Sequence, residues 1–302
     1  MSPSGREPAL LRSLLFAPGN HPRRVEKAIG LDADAVILDL EDACPIAEKV
    51  ATRAVVVAAL ERPRTALGYV RINALATEFG YGDLCAVVRR GVDGVMLTKV
   101  NGPDDVKIAD WLIGQLERER GLPAGSVDLL PLIETGAGLA SAAAIAAAAP
   151  RVKRLAFGAG DFTLDLGLRW SREETELLAF RSALVLASRA AGIEPPVDLA
   201  WIDTQDGEGF ANSVRWGRTL GFQGKLCIHP DHVEPINRAF SPSAEDVAHA
   251  ERVVAAFAEA EARGSAAFAL EGAMVDYAIV MKAHRVIDAA ARIRARRSAW
   301  SE

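Results

Sequence analysis

Four ionisable residues recur along the chain at about the length of one strand plus one helix. Arg71, Lys99, Glu134 and Asp161 are separated by 28, 35 and 27 residues. Asp39, Glu41 and Asp42 end an earlier apolar run, and Asp203 and His229 end later ones. Glu134 and Asp161 would suit a hard divalent cation. Mg²⁺ fits best, because it commonly takes one or two protein carboxylates and completes its shell with water and substrate oxygens. Arg71 and Lys99 supply the opposite charge. They could bind a carboxylate or steady a developing enolate oxygen, or pair with the acidic cluster at Asp39–Asp42. Gly19 and Arg24 could meet a phosphate. Other chemistries lack their residues. There is no Gly-x-Ser-x-Gly elbow, no Cys–His pair of suitable spacing and no Walker-type loop. His21, His229, His232, His249 and His284 form no ligand cluster, which disfavours zinc.

These residues share one site only if the elements between them bring strand ends together. Short apolar runs predict strands at Ser13–Ala17, Ala35–Leu40, Leu67–Ile72, Gly94–Thr98, Asp128–Ile133, Val152–Phe157, Asp198–Ile202 and Lys225–Ile228. They are apolar nearly throughout, the pattern of strands covered on both faces. Amphipathic segments at Pro45–Leu60, Asp104–Arg120, Glu173–Ala191 and Gly209–Leu220 predict intervening helices. This alternation predicts an α/β fold, a (β/α)₈ TIM barrel. A doubly wound open sheet is the rival, but Phe16-Ala17-Pro18-Gly19-Asn20 lacks its repeated glycines. In a barrel the C-terminal strand ends share one mouth, where polar residues are catalytic candidates.

The chain of 302 residues is half apolar and one quarter charged, which excludes a disordered tail and a fibrous repeat. We expect a barrel over 1–240 and a C-terminal helical extension over 241–302. In the extension, helices are expected at Ala244–Arg263 and Lys282–Arg296, with a short loop or strand at Glu271–Asp276 between them. Arg292, Arg294, Arg296 and Arg297 read as a solvated helix end. A net charge of −5 argues against a nucleic-acid partner. Cys44, Cys85 and Cys227 read as reduced thiols. The run 1–8 lacks the character of a signal peptide, and the alanine-rich stretch Ala137–Pro150 is too short to span a bilayer. A cytoplasmic protein without membrane association is expected.

Seven fragments, in order, carry a resemblance. They are Ser13-Leu14-Leu15-Phe16-Ala17-Pro18-Gly19, Asp34 to Asp42, Val70-Arg71-Ile72-Asn73, Thr98-Lys99-Val100, Leu132-Ile133-Glu134-Thr135, Phe157-Gly158-Ala159-Gly160-Asp161 and Gly224 to Pro230. With them the chain resembles the citrate lyase beta-subunit-like family, which includes malyl-CoA and citramalyl-CoA lyases. The resemblance implies a (β/α)₈ barrel and a Mg²⁺-dependent carbon–carbon lyase acting on a CoA thioester. It implies Glu134 and Asp161 as metal ligands and Arg71 as the arginine that meets substrate carboxylate and enolate. Glu41 and Asp42 match the acidic motif near the metal waters, and Lys99 is a further candidate at the catalytic site. Asp276 matches the aspartate of a Gly-x-x-x-Asp motif, here Gly272 to Asp276, which in relatives can reach a neighbouring subunit's site in trimers or hexamers. Tyr277-Ala278 departs from the family pattern just after it. The expected reaction splits a 3-hydroxyacyl-CoA with a distal carboxylate, of citramalyl-CoA or malyl-CoA type, into an acyl-CoA and a 2-oxo acid. A citrate lyase beta-type subunit acting on a citryl-carrier thioester, and a malyl-CoA thioesterase, are the alternatives.

Overall fold

A computed structural model describes residues 9–298. The run 1–8, the last residues 299–302 and the side chains of Arg297 and Ser298 lie outside that description. The chain divides into two compact units between Asn237 and Arg238.

In the first unit, eight parallel strands close into a barrel in sequence order. They are β1 (Ser13–Pro18), β2 (Ala35–Asp39), β3 (Leu67–Ile72), β4 (Gly94–Leu97), β5 (Asp128–Ile133), β6 (Ala156–Phe157), β7 (Val197–Asp198) and β8 (Gly224–Cys227). Closure is made by β8 against β1, from Ser13↔Lys225 to Leu15↔Cys227. The interior is filled by Leu14, Ala35, Ile37, Tyr69, Met96, Leu130, Leu132, Ala156, Val197 and Leu226, with Leu67 packed against them. Their spacing of two along each strand sets the inward face. Continuing that spacing on β2, β3 and β5 reaches Asp39, Arg71 and Glu134. The strand period therefore turns three charged groups inward at the C-terminal rim.

β2 and β4 each end one residue before the expected stop, and β6 and β7 are much shorter than expected. The run from Val152 predicts six residues of strand, but only Ala156–Phe157 are one, and Val152 makes an isolated bridge to Leu129. On either side of Val152, Arg151 turns to Asp110 and Glu117, and Arg154 to Asp128 and the Ala9 carbonyl. These buried guanidiniums need polar partners, and reaching them interrupts the ladder. Strand β7 begins one residue early, at Val197, and ends at Asp198, well short of Ile202.

The polarity of β7 and β8 alternates accordingly. Val197 and Leu226 face the barrel interior, while Asp198 and Lys225 face outward under the helix Leu178–Ala190. Lys225 donates to Asp198 Oδ2 at 2.9 Å and to Ser213 Oγ at 2.8 Å. Arg181 donates to Asp198 Oδ1 and to Glu174 Oε2, each at 2.9 Å. All four charged side chains are fully buried. Glu174 adopts a left-handed backbone, φ +55°, so the helix expected from Glu173 starts only at Leu178, after a short 3₁₀ turn.

The second unit pairs the helices Ala244–Ala262 and Tyr277–Ser298 with an antiparallel hairpin, Phe268–Leu270 and Ala273–Val275. Ala250, Val253, Phe257, Val275, Val280 and Ala283 form its core. Ser243 caps the first helix by accepting from Asp246 N at 3.0 Å. The last helix starts earlier than the expected Lys282, because Asp276 Oδ1 accepts from Ile279 N at 3.0 Å and caps it. Among the described residues no helix is long and apolar enough to cross a membrane.

Removing one partner of a buried ion network leaves the others uncompensated. Asp198→Ala should therefore lower unfolding stability by about 3–5 kcal/mol, seen as a reduced urea midpoint. A change below about 1 kcal/mol would show that the network does not hold this wall.

Candidate active site

Asp39 and Arg71 are register partners on β2 and β3. Arg71 donates through Nε to Asp39 Oδ1 at 2.7 Å and through Nη2 to Oδ2 at 2.5 Å. The same carboxylate accepts from Glu41 N at 2.9 Å and Ala43 N at 3.1 Å, folding the acidic loop over the strand end. That loop is held from behind by Lys49, which donates to the carbonyls of Leu40 at 3.0 Å and Glu41 at 2.5 Å. Nothing in the sequence marks Lys49, because its partners are carbonyls. Asn73, another strand-end residue, is structural: it donates to Leu40 O at 2.9 Å and to Asp83 Oδ2 at 2.7 Å.

Arg71 Nη1 lies 3.0 Å from Glu41 Oε2 and 3.5 Å from Asp42 Oδ2. Its guanidinium also sits 5.0 Å from the centroid of the Phe16 ring. Burial works against its charge, but the hydrogen bonds and charge of Asp39, with Glu41 and Asp42, outweigh that and raise its pKa. Lys99 follows β4 with a left-handed backbone, φ +51°. That conformation costs a non-glycine residue about 1–2 kcal/mol. It aims the Lys99 amide at Glu134 Oε1, 2.7 Å away. The Lys99 ammonium donates to Glu41 Oε1 at 2.6 Å and lies 3.3 Å from Asp161 Oδ2.

Glu134 is buried at the end of β5, and Asp161 lies in the first turn of the helix Ala159–Asp165. Gly158 lets the two approach: a Cβ there would fall 2.8 Å from Glu134 Oε2. Burial raises the Glu134 pKa. The Lys99 amide opposes this, Asp161 and Glu41 raise it further, Arg71 opposes, and the balance stands at about 8. Burial likewise raises the Glu41 pKa, against Arg71 and Lys99.

A cavity of about 370 Å³ opens beside these groups. Arg24, Asp39, Asp42, Arg71, Glu134 and Asp161 line it, with Phe16, Leu132, Phe157, Trp170, Ile202 and Leu226 as its apolar wall. All of this lining belongs to the first unit. Trp170 carried no signal in the sequence beyond its apolar type. Gly19 sits against the second strand. Its amide donates to Asp39 O at 3.0 Å, and a Cβ would meet Val56 Cγ1 at 2.6 Å, so it serves close packing while Arg24 faces the cavity. Asp203 and His229 accept from nearby amides, Gln205 N at 3.0 Å and Asp231 N at 3.3 Å. Asp276 belongs to the second unit, where it caps the last helix.

Among the described residues no three His, Cys, Asp or Glu side chains converge as a metal-binding group. The hard oxygen donors that could hold a cation in this cavity are the carboxylates of Glu134 and Asp161. Burial, with Asp161 and Glu41 nearby, disfavours the charge on Glu134, and Gly158 leaves room beside its second oxygen. Such a pair fits a cation that draws most of its shell from water and substrate.

A family model described as HpcH/HpaI aldolase/citrate lyase matches residues 12–230. The citrate lyase subunit beta of Haemophilus influenzae is 36% identical over 283 residues, covering 93% of this chain and 97% of the relative. A (3S)-malyl-CoA thioesterase of Cereibacter sphaeroides is 34% identical, covering 95% and 97%. Among solved structures, protein CitE of Mycobacterium tuberculosis, in complex with magnesium, acetoacetate and coenzyme A, superposes with a TM-score of 0.75 at 32% identity, over 94% of this chain and 99% of that one.

The raised Glu134 pKa has a stability consequence. Between the ordinary value of 4.5 and about 8 the folded protein holds a proton that the unfolded chain releases. This contribution is fully present below about 4.5 and is lost as pH rises through about 8. Thermal unfolding in chelator should show a falling midpoint across that window, and Glu134→Gln should flatten the fall. An unchanged slope in the variant would remove Glu134 as its source.

Proposed function

The chain belongs to the HpcH/HpaI aldolase/citrate lyase family, and from that premise we propose that it is a Mg²⁺-dependent carbon–carbon lyase acting on a thioester. The observation that carries the reading is the rim itself. Glu134 and Asp161 stand in one cavity with an arginine already oriented by Asp39. Mg²⁺ held by Glu134 and Asp161 would act as a Lewis acid on substrate hydroxyl and carboxylate oxygens. Arg71 has more N–H donors than its contacts with Asp39 and Glu41 use, and it lines the cavity. It is therefore placed to receive the thioester oxygen as negative charge develops there. Glu41 and Asp42 keep that arginine in place and order water at the rim.

In the cleavage direction the substrate hydroxyl passes its proton to water at the rim and becomes the carbonyl of a 2-oxo acid, while Asp276 enters the cycle as the carboxylic acid and is reprotonated from solvent. The carbon–carbon bond electrons pass to the thioester as an enolate. Asp276 returns a proton to the enolate carbon, which releases an acyl thioester. We place Asp276 at the site of a neighbouring subunit, in a trimer or hexamer. Tyr277 supports that loop from its own unit: its hydroxyl donates to Glu261 Oε1 at 2.8 Å and its ring meets Phe257 edge-on at 4.9 Å.

The citrate lyase beta relatives, 36% identical in the Haemophilus influenzae case, support a citryl thioester as substrate, on a carrier or on CoA. The CoA of the Mycobacterium tuberculosis complex supports CoA as the thioester, and the Cereibacter sphaeroides thioesterase supports malyl-CoA as a second acyl group. The three cysteines are free, as suits a reducing, cytoplasmic setting.

A screen of citryl-CoA, malyl-CoA and citramalyl-CoA, measuring 2-oxo acid and free CoA together, tests this reading. We expect Mg²⁺-dependent release of 2-oxo acid without matching free CoA. Free CoA alone would identify a thioesterase instead. Asp276→Asn should lower turnover at least about tenfold while leaving Mg²⁺ binding intact; near-normal turnover would remove Asp276 from proton transfer.

A further inference from the structure

Lys99 touches both proposed metal ligands, with two different parts of the residue. Its backbone amide donates to Glu134 Oε1 at 2.7 Å, and its ammonium lies 3.3 Å from Asp161 Oδ2. The left-handed backbone, φ +51°, serves the first contact. Glycine would hold that conformation with less strain and present the same amide. The amide contact therefore does not account for a lysine at this position. The ammonium does: it spans from Asp161 on one side to Glu41 Oε1, at 2.6 Å, on the other.

The two carboxylates differ in what they would lose with it. Glu41 has a second cation, Arg71 Nη1, 3.0 Å from its other oxygen. Lys99 is the cation paired with Asp161. Its charge therefore stands beside one of the two oxygen ligands meant for a divalent ion, while its amide orients the other.

Resting on the Mg²⁺ reading above, we propose that Lys99 is a tethered counter-cation. It balances Asp161 and Glu41 when no metal is bound and opposes Mg²⁺ electrostatically when it is, so that affinity stays moderate. Lys99 is then a positioning residue. It acts through the carboxylates it touches and carries no proton in the reaction.

The test is calorimetric titration of Mg²⁺ into the full-length wild type and into Lys99→Met, Lys99→Gly and Lys99→Arg, with folding checked by circular dichroism. The Met variant removes charge and keeps length. The Gly variant removes the ammonium and keeps the backbone conformation. We expect both to bind Mg²⁺ about tenfold more tightly. Without metal both should melt at lower temperature than wild type, and Mg²⁺ should recover the difference. The Arg variant keeps the charge and should bind within about twofold of wild type. Unchanged or weaker binding in folded Met and Gly variants overturns the proposal, as does tighter binding in the Arg variant. Failure of all three variants to fold also overturns it, by making Lys99 a framework residue. If the wild type binds Mg²⁺ and the variants do not differ from it, this inference alone falls. If the wild type binds none, the metal reading falls with it.

Discussion

The bidentate pair between Asp39 and Arg71 is the contact on which the mouth of the barrel depends. Strand register makes the two residues neighbours, and the inward face of β2 and β3 turns both toward the same space. Once Asp39 holds the guanidinium, its oxygens also collect the amides of Glu41 and Ala43. Glu41 is thereby brought against Arg71 and Lys99, and Lys99 in turn reaches Asp161. A single carboxylate thus organises a chain of alternating charges across several strand ends. Little of this needs side-chain entropy at the moment of reaction, because the groups are already ordered.

Carboxylates outnumber cations around this cavity. Asp39, Glu41, Asp42, Glu134 and Asp161 face Arg71 and Lys99, with Arg24 also in the lining. The imbalance falls on Glu134, which is the most deeply placed of the group without an arginine or lysine side chain against it. Its pKa is raised first by burial and then by Asp161 and Glu41, against the Lys99 amide and Arg71. A proton is one answer to that burial, and a cation bound there would be another, released protons then accompanying its uptake.

Much of this was legible in the sequence because strand ends leave a pattern. Apolar runs stop at Asp39, Ile72, Leu97 and Ile133, and the charged residues within two positions of those stops are among the ones that converge. The spacing of Arg71, Lys99, Glu134 and Asp161 needed only a repeating strand and helix to become proximity. What the sequence did not show has physical causes. Lys49 acts on carbonyls, which every residue possesses, so no partner type marks it. Gly19 looked like a phosphate turn, yet its amide is taken by the neighbouring strand. The shortening of β6 goes with Arg151 and Arg154 reaching buried partners far along the chain. A local apolar pattern contains no information about those distant charges.

The uneven ladder has one more consequence. β1 with β2, and β2 with β3, share five register pairs each, whereas β5 with β6 shares two and β6 with β7 one. The barrel wall therefore has a seam. Glu134 ends the strand on its firm side and Asp161 follows the strand inside it, so the two carboxylates stand on opposite lips. Shear along that seam would change the gap between them, and an ion gripping both would act as a rivet across it. Chemistry and wall mechanics then meet at one pair of oxygens.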